Sequence, residues 1–521
     1  MLQFILRRLL TSAGVLLVSS FMLYMMVDFG IDPLEDLIFS DDPGAQLQIE
    51  QRIQDLNLDA TAVERYIDWL GSFITGDMGT NWRTGRPVSE LLQGAVLATI
   101  RLVSAATVLA IILGVGIGVV SALRQYTSFD YVIIFVCFVL YSLPVFWVAV
   151  LLKQWGAIGY NDFLEDPSLP IWMIGLVAAI FGALVMLAVA GSPQRRVVTF
   201  LTATAAASAV LAYLMVTDWW NHPHVGPVWL AITGLGIAFA ITILTAGLEN
   251  RRALFTTFTV VAIGLAMYYP LQPLLNNLTT SEATWPGSER ELLGWPLLAL
   301  MGLLAILVGW AVGRAWGGPD WKQSARSGAI VAFLVSGVIL LDRFFQAWPD
   351  YMTHSRVNNR PIRTIGESIP GFDADFWVTT LNTYSHLVLP TLSLTLISFA
   401  SYTRFARGTM LEVLNQDYMR TARAKGLTDR TVIMRHGFRN TLIPLATLVP
   451  VDVITLLNGA IITERIFARP GMGTLFLDSF AEDVIDPVMA YLVITGFLVV
   501  FANFIADLCY AALDPRIRVN A

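Results

Sequence analysis

The sequence predicts an all-α protein that crosses a membrane many times. Three observations carry this. Of the 521 residues, 56% are hydrophobic and only 14% are charged, with a mean hydropathy of +0.64; a soluble domain carries charge on roughly a quarter of its residues. Several apolar runs reach about 20 residues, the length at which a helix crosses the hydrocarbon core. Between these runs Lys and Arg gather on alternate turns, as they do in cytoplasmic loops. The net charge of −6 adds little, because the placement of basic residues orients a membrane protein more than their sum does. Cys137 and Cys509 both fall in apolar runs, with neither a disulfide framework nor a zinc spacing. The chain has no Walker A loop, no HExxH and no GxSxG. Any energy source therefore belongs to another chain, and nothing points to a nucleic-acid partner.

The first apolar run, 4–27, carries Arg7 and Arg8 near its start and is apolar beyond them. It is longer than a signal-peptide core and lacks a small-x-small cleavage site, so it reads as the first span with the N-terminus inside. A polar segment follows to residue 93, with amphipathic helical stretches and Gly/Pro turns. Spans two and three occupy 97–123 and 131–152, and Arg124 in the short turn between them places that turn inside. Arg101 enters the second span from the outer side and can snorkel. Pro144 frees a backbone carbonyl in the third span, so a kink is expected there, for a pathway or for packing alone.

Six further apolar runs follow, at 171–191, 197–216, 228–247, 253–269, 292–312 and 330–345. Arg195/Arg196, Arg251/Arg252 and Arg314/Lys322/Arg326 fall on alternate turns and are assigned inside; the opposite turns hold at most Arg290. Trp219, Trp220 and Trp229 suit an interfacial belt. His222 and His224 have no adjacent carboxylate or Cys partner, so no metal site is expected. A polar outer loop, 351–386, precedes the tenth span at 387–405, the eleventh at 442–462 and the last at 488–508. Asp452 lies in the middle of the eleventh. An acid there is costly enough to face protein or a wet cavity, either lining a path or bonding between helices.

The most informative polar stretch is 414–440. Tyr418, Ala422 and Leu427 have near-helical spacing over residues 417–425, Gly426 is a helix stop, and Thr428 caps a second helix with Asp429 in its first turn. Arg420, Arg423, Lys425, Arg430, Arg435 and Arg439 make it basic and place it on the cytoplasmic face. Charge alone is met by an amphipathic loop lying on anionic headgroups.

The run DYMRTARAKGL from Asp417, followed by RHGFRNTLIP from Arg435, resembles the coupling loop of the dipeptide/oligopeptide family of ABC-importer permeases. Other segments resemble the same family in the same order. They are the T-G-x-P-V element ending at Val88, the S-x-P-x-F element at Ser142–Phe146, the E-x-I-F-x-x-P-G-x-G run from Glu464, and the closing Asn503/Asp507/Tyr510 and DPRIR signatures. Arg420 and Thr421 stand where the wider superfamily has Glu and Ala, a departure usual in the peptide branch.

The resemblance covers about 1–155 and 382–519. It implies a six-span type I ABC importer permease core, split by about six inserted helices: 1–30 the first span, 31–93 extracytoplasmic, 94–166 spans two and three, 167–350 the insertion, 351–386 an outer loop, and 387–521 the last three spans with the coupling loop at 408–440. It implies ATPase-coupling roles for Arg420, Thr421, Ala422, Gly426, Leu427, Thr428, Arg435, His436 and Arg439, with Pro144, Asp452, Glu464 and Asp507 as pathway or gating candidates. The implied partners are a second homologous permease, two ATP-binding subunits carrying ATP and Mg, an extracytoplasmic solute-binding protein and the bilayer of the bacterial cytoplasmic membrane. This chain itself would hold no cofactor and catalyse nothing, and both termini would lie inside. The solute would be a di- or oligopeptide; nickel chelates or glycosides are the same-class alternative. A proton-coupled carrier using Asp452 is the different-class one, and a membrane scaffold or enzyme lacks any supporting constellation.

Overall fold

The computed structural model describes residues 2–39, 44–189, 191–280 and 291–513. The DPRIR signature and Arg290 lie outside these, as do the side chains of Arg7, Arg8, Asp507 and Cys509. Helix α1, Leu2–Gly30, turns Tyr24 and Val27 onto Tyr66, Val488 and Met489, and leaves Val15, Leu17 and Met22 exposed for lipid. Helix α2, Ala62–Thr75, starts at a capping box: the Glu64 amide donates to the Thr61 hydroxyl and the Thr61 amide donates to Glu64 at 2.9 Å. Those bonds hold the Glu64 carboxyl below its usual range. Arg65 clamps Asp28 at 2.6 and 2.7 Å, fixing α2 across the end of α1. The Gly85-containing turn is a small hairpin of β1, Thr80–Asn81, against β2, Arg86–Pro87.

Helix α3, Val88–Leu123, carries Ala106, Ala110, Gly114 and Gly118 every fourth residue. A Cβ on Gly118 would lie 2.6 Å from the Thr403 carbonyl, and one on Gly114 2.6 Å from the Tyr402 Cβ. The stripe of small residues thus lets α3 lie directly on the long helix that contains these partners. Helix α4, Ser128–Ser142, and helix α5, Val145–Glu165, meet at a bend of 102°. The kink expected in one span over 131–152 is therefore a break: Leu143 is extended and Pro144 caps a new helix.

Six helices follow that are each long and apolar enough to cross a bilayer: α6 (Ile171–Ala188), α7 (Pro193–Val216), α8 (Gly226–Thr245), α9 (Arg251–Thr280), α10 (Glu291–Trp316) and α11 (Trp321–Gln346). The α6–α7 hairpin closes with Gly182 against Thr204. Helices α8–α11 enclose Leu230, Val261, Val331 and Val335. Buried Asp342 joins three of them, accepting from the Val225 amide (2.6 Å), the Tyr268 hydroxyl (2.6 Å) and Gln346 (2.8 Å).

Helix α12 spans Phe376–Leu414 and starts eleven residues before the expected 387. Asp375 caps it, accepting from the Val378 amide at 2.8 Å. The polar Asn382, Ser385 and His386 are buried inside it and do not form a loop. Helix α13 is Asp417–Ala424 and helix α14 is Arg439–Ile466. Helix α15, Met472–Ala481, was not expected from the sequence, and α16, Ile485–Leu513, ends the described chain. Pro444 and Pro450 lie within α14 and do not divide it.

The Arg-bearing turns collect at one end of the molecule. Arg124 donates to the Ala188 carbonyl, Arg252 lies against Gly318, and Gly247 lies against Arg430 of the 414–440 stretch. At the other end Trp220 packs on Tyr160 and Phe163, and Arg360 pairs with Asp162 and Glu165 at 3.1 and 3.0 Å.

Candidate functional site

The basic stretch is built as a short helix, a break and a return. In α13 only Met419 and Ala422 are buried, packed with Val432 and Leu414; Arg420, Thr421, Arg423 and Lys425 point outward. An apolar side facing the protein and a basic side facing away give a helix held from beneath and free above. Gly426 has φ +74°, which permits the abrupt break, and a Cβ there would meet nothing within 4 Å. Thr428 then caps the return, accepting from the Thr431 amide at 3.4 Å. The second helix differs from expectation. Asp429–Thr431 runs through a π-helical turn, Val432–Phe438, straight into α14, so it is the foot of a span and not a separate surface helix. Leu427, Thr428, Arg435 and Arg439 are exposed and His436 is half-buried. The break thus brings Arg420, Thr421, Gly426, Leu427 and Thr428 onto one exposed corner.

Beneath this corner, Arg407 of α12 forms a two-pronged pair with buried Asp130 of α4, at 2.7 and 2.9 Å, and Ser121 of α3 donates to the same carboxylate at 2.5 Å. Sequence reasoning missed this tie, because its members are remote in sequence. One turn earlier on α12, Arg404 lies 3.9 Å over the Tyr141 ring. Ser401, Tyr402, Arg404 and Phe405 of α12 face Leu448 and Asp452 of α14 across a cavity of about 400 Å³. Pro144 does not line this cavity, but sits at the α4–α5 bend three residues beyond Tyr141.

Glu464 is placed differently from Asp452. It is 1% exposed and folded into the turn after α14. Its carboxylate accepts from Thr99 of α3 at 2.5 Å and from the amides of Gly473 and Thr474 at 2.8 and 3.3 Å. A Cβ on Gly471 would collide with that carboxylate, which explains the glycine. Arg469, 2% exposed, donates to the His386 carbonyl and lies 3.7 Å from Glu367, which also reaches Arg101. Burial holds the Arg469 guanidinium below its usual range against the pull of Glu367 and Glu464. Thr99, Arg469 and Glu367 were not legible as a set; only the Glu464–Gly473 run signalled them. Among the described residues no group of three His, Cys, Asp or Glu is placed to hold a metal ion.

Comparison with known proteins gives the chain a family. Residues 254–519, just over half of the chain, match the family model for the binding-protein-dependent transport system inner membrane component. The oligopeptide transport system permease protein OppB of Mycobacterium tuberculosis is 43% identical over 155 residues, covering 30% of this chain and 48% of the relative. The oligopeptide permease protein AppB of Bacillus subtilis is 44% identical over 148 residues, 27% of this chain and 47% of the relative. The dipeptide permease protein DppB of Escherichia coli is 39% identical over 154 residues, 30% and 44% respectively. The chain spans about half the length of these curated relatives.

Proposed function

The chain belongs to the family of binding-protein-dependent transport system inner membrane components, and on that premise we propose that it is the membrane-spanning permease of an ATP-driven importer of di- or oligopeptides. The observation that carries this reading is the corner at Arg420–Thr428, which presents a helix end, a left-handed glycine and basic side chains outward from a packed base. Such a corner fits a groove on a cytoplasmic ATPase. ATP and Mg are held there, and this chain binds no cofactor. The foot of α14 is continuous from Asp429 to Ile466, a rod of roughly 55 Å. A push on the corner is therefore delivered along that rod to the turn at Glu464–Gly473, and the cavity at Asp452 lies on the way. This is a physical route for alternating access. A second permease subunit and two ATPases complete the machine. An outer solute-binding protein would meet the face formed by α2 and the β1–β2 hairpin.

The test is uptake into sealed vesicles that contain the native complex, with a labelled dipeptide presented by its binding protein. Uptake is expected with internal ATP and absent with ADP, whatever the pH gradient. The acid at Asp452, which has no cationic partner among the described residues, favours one competing reading, a proton-driven carrier; uptake driven by a pH gradient without ATP would establish that reading instead.

Sidedness has its own expected result. The Arg-bearing turns share an end with the basic corner, and that end is assigned to the cytoplasm. A cysteine replacing Asn276 at the Arg-poor end of α9 should react with an impermeant maleimide from outside, and one replacing Glu249 beside Arg251 should not. The reverse pattern would overturn the topology, and the N-terminus would then lie outside.

A further inference from the structure

We propose that the cavity between α12 and α14 is a contact station for the solute in transit, in which Arg404 receives a carboxylate while Asp452 and Tyr402 receive an ammonium group. The ligand class is a zwitterion such as a short peptide with both ends free, and the inference rests on the importer reading above. Two arginines one turn apart on α12 are treated in opposite ways. Arg407 is answered within the chain by Asp130. Arg404 has no ion-pair partner among the described residues; it stacks on Tyr141 and its Nε makes no hydrogen bond. Across the cavity, Tyr402 and Asp452 lie side by side, close enough for the hydroxyl to act on the carboxylate, and Asp452 has no cationic partner among the described residues.

Unanswered charges inside a spanning bundle are costly and face a wet cavity or one another. Here the Arg404 guanidinium and the Asp452 carboxylate line the same cavity with no ion pair between them, so the opposite charges come from outside the chain. A zwitterion answers both charges at once, whereas an uncharged or singly charged solute leaves one unmet. The volume of about 400 Å³ falls in the range of small-ligand pockets. The cavity is also tied to a joint. Tyr141, under the Arg404 guanidinium, lies just before the 102° bend between α4 and α5. A change in that bend would move the ring and re-aim the guanidinium, which gives a way to release the carboxylate.

The experiment uses the complete complex in proteoliposomes and compares one tripeptide in three forms: free, C-terminally amidated and N-acetylated. Arg404→Gln should lower uptake of the free tripeptide about tenfold or more, the scale of a charge-assisted hydrogen bond, and Arg404→Lys should restore most of it. The amidated peptide should be carried equally by wild type and Arg404→Gln. Asp452→Asn should show the mirror pattern, with the N-acetylated form insensitive. Equal losses for all three forms, or no loss, would overturn the proposal. A second measurement is independent of whether the binding protein accepts blocked peptides. A tripeptide with a photoreactive side chain should label the fragment containing Ser401–Phe405 in the wild-type complex, and Arg404→Gln should abolish the label. Absence of that label while uptake proceeds would refute the station. A wild-type complex that imports no peptide with ATP would refute the importer reading instead.

Discussion

Replacing Gly426 with aspartate is expected to leave the protein folded and inserted while reducing ATP-driven uptake to background. Two local facts separate folding from docking here. The backbone at 426 is left-handed, with φ +74°, but aspartate is among the side chains that visit this region routinely. A Cβ at 426 meets nothing of the chain itself, so no internal collision is created. The cost to the isolated chain is then about 1 kcal/mol, too little to unfold it. A large functional loss would therefore be felt outside the chain, where a carboxylate enters whatever receives the corner. The measurements are membrane yield, ATPase activity and peptide uptake on one preparation. ATP hydrolysis that no longer responds to the loaded binding protein, with normal yield, is the expected signature. Gly426→Ala should lose far less, since it adds a methyl and no charge. Normal uptake in Gly426→Asp would mean that the corner does not dock.

Much of the fold was legible because membrane helices announce themselves by length. The six apolar runs between 171 and 345 all appear as helices, and the Arg-bearing turns fall at one end, since both depend on local composition. The corner was legible for similar reasons: Gly426 and Thr428 act on their own neighbours. What failed to show depends on distant partners. Asn382, Ser385 and His386 read as loop because they are polar. They are helical because the outer segment covers them: Tyr351 shares a hydrogen bond with Ser385 at 2.7 Å, and Asn161, which also anchors that segment, bonds Ile362. Pro144 signalled a disturbance of α4 but not its size, because a kink and a complete break share the same local chemistry. Asp130 carried no sign that its partner would be Arg407, 277 residues on. Asp452 and Glu464 looked alike in sequence, as acids in or beside the eleventh span, and only their surroundings distinguish them.

That distinction yields the other large effect. Glu464→Ala is expected to unravel the turn after α14 and abolish uptake together with stable assembly. The carboxylate occupies the centre of a closed set of donors: Thr99 at 2.5 Å, the Gly473 amide at 2.8 Å and the Thr474 amide at 3.3 Å. Thr99 in turn accepts from the Met472 amide at 2.9 Å. Removing the acceptor leaves donors from α3 and α15 buried without partners, at about 1–3 kcal/mol each, and leaves buried Arg469 to be answered by Glu367, at 3.7 Å. A total near 3–5 kcal/mol is the scale at which breaking a buried charged network becomes disabling. Glu464→Gln keeps the shape and one good acceptor, so it should retain a folded turn with reduced transport. The check is limited proteolysis of the outer face in right-side-out vesicles, read beside uptake. Cleavage near Arg465 or Arg469 should appear in Glu464→Ala and be weak in Glu464→Gln. An alanine variant that resists protease but still fails to transport would place Glu464 in the solute path, and one that transports normally would mean that the turn holds without it.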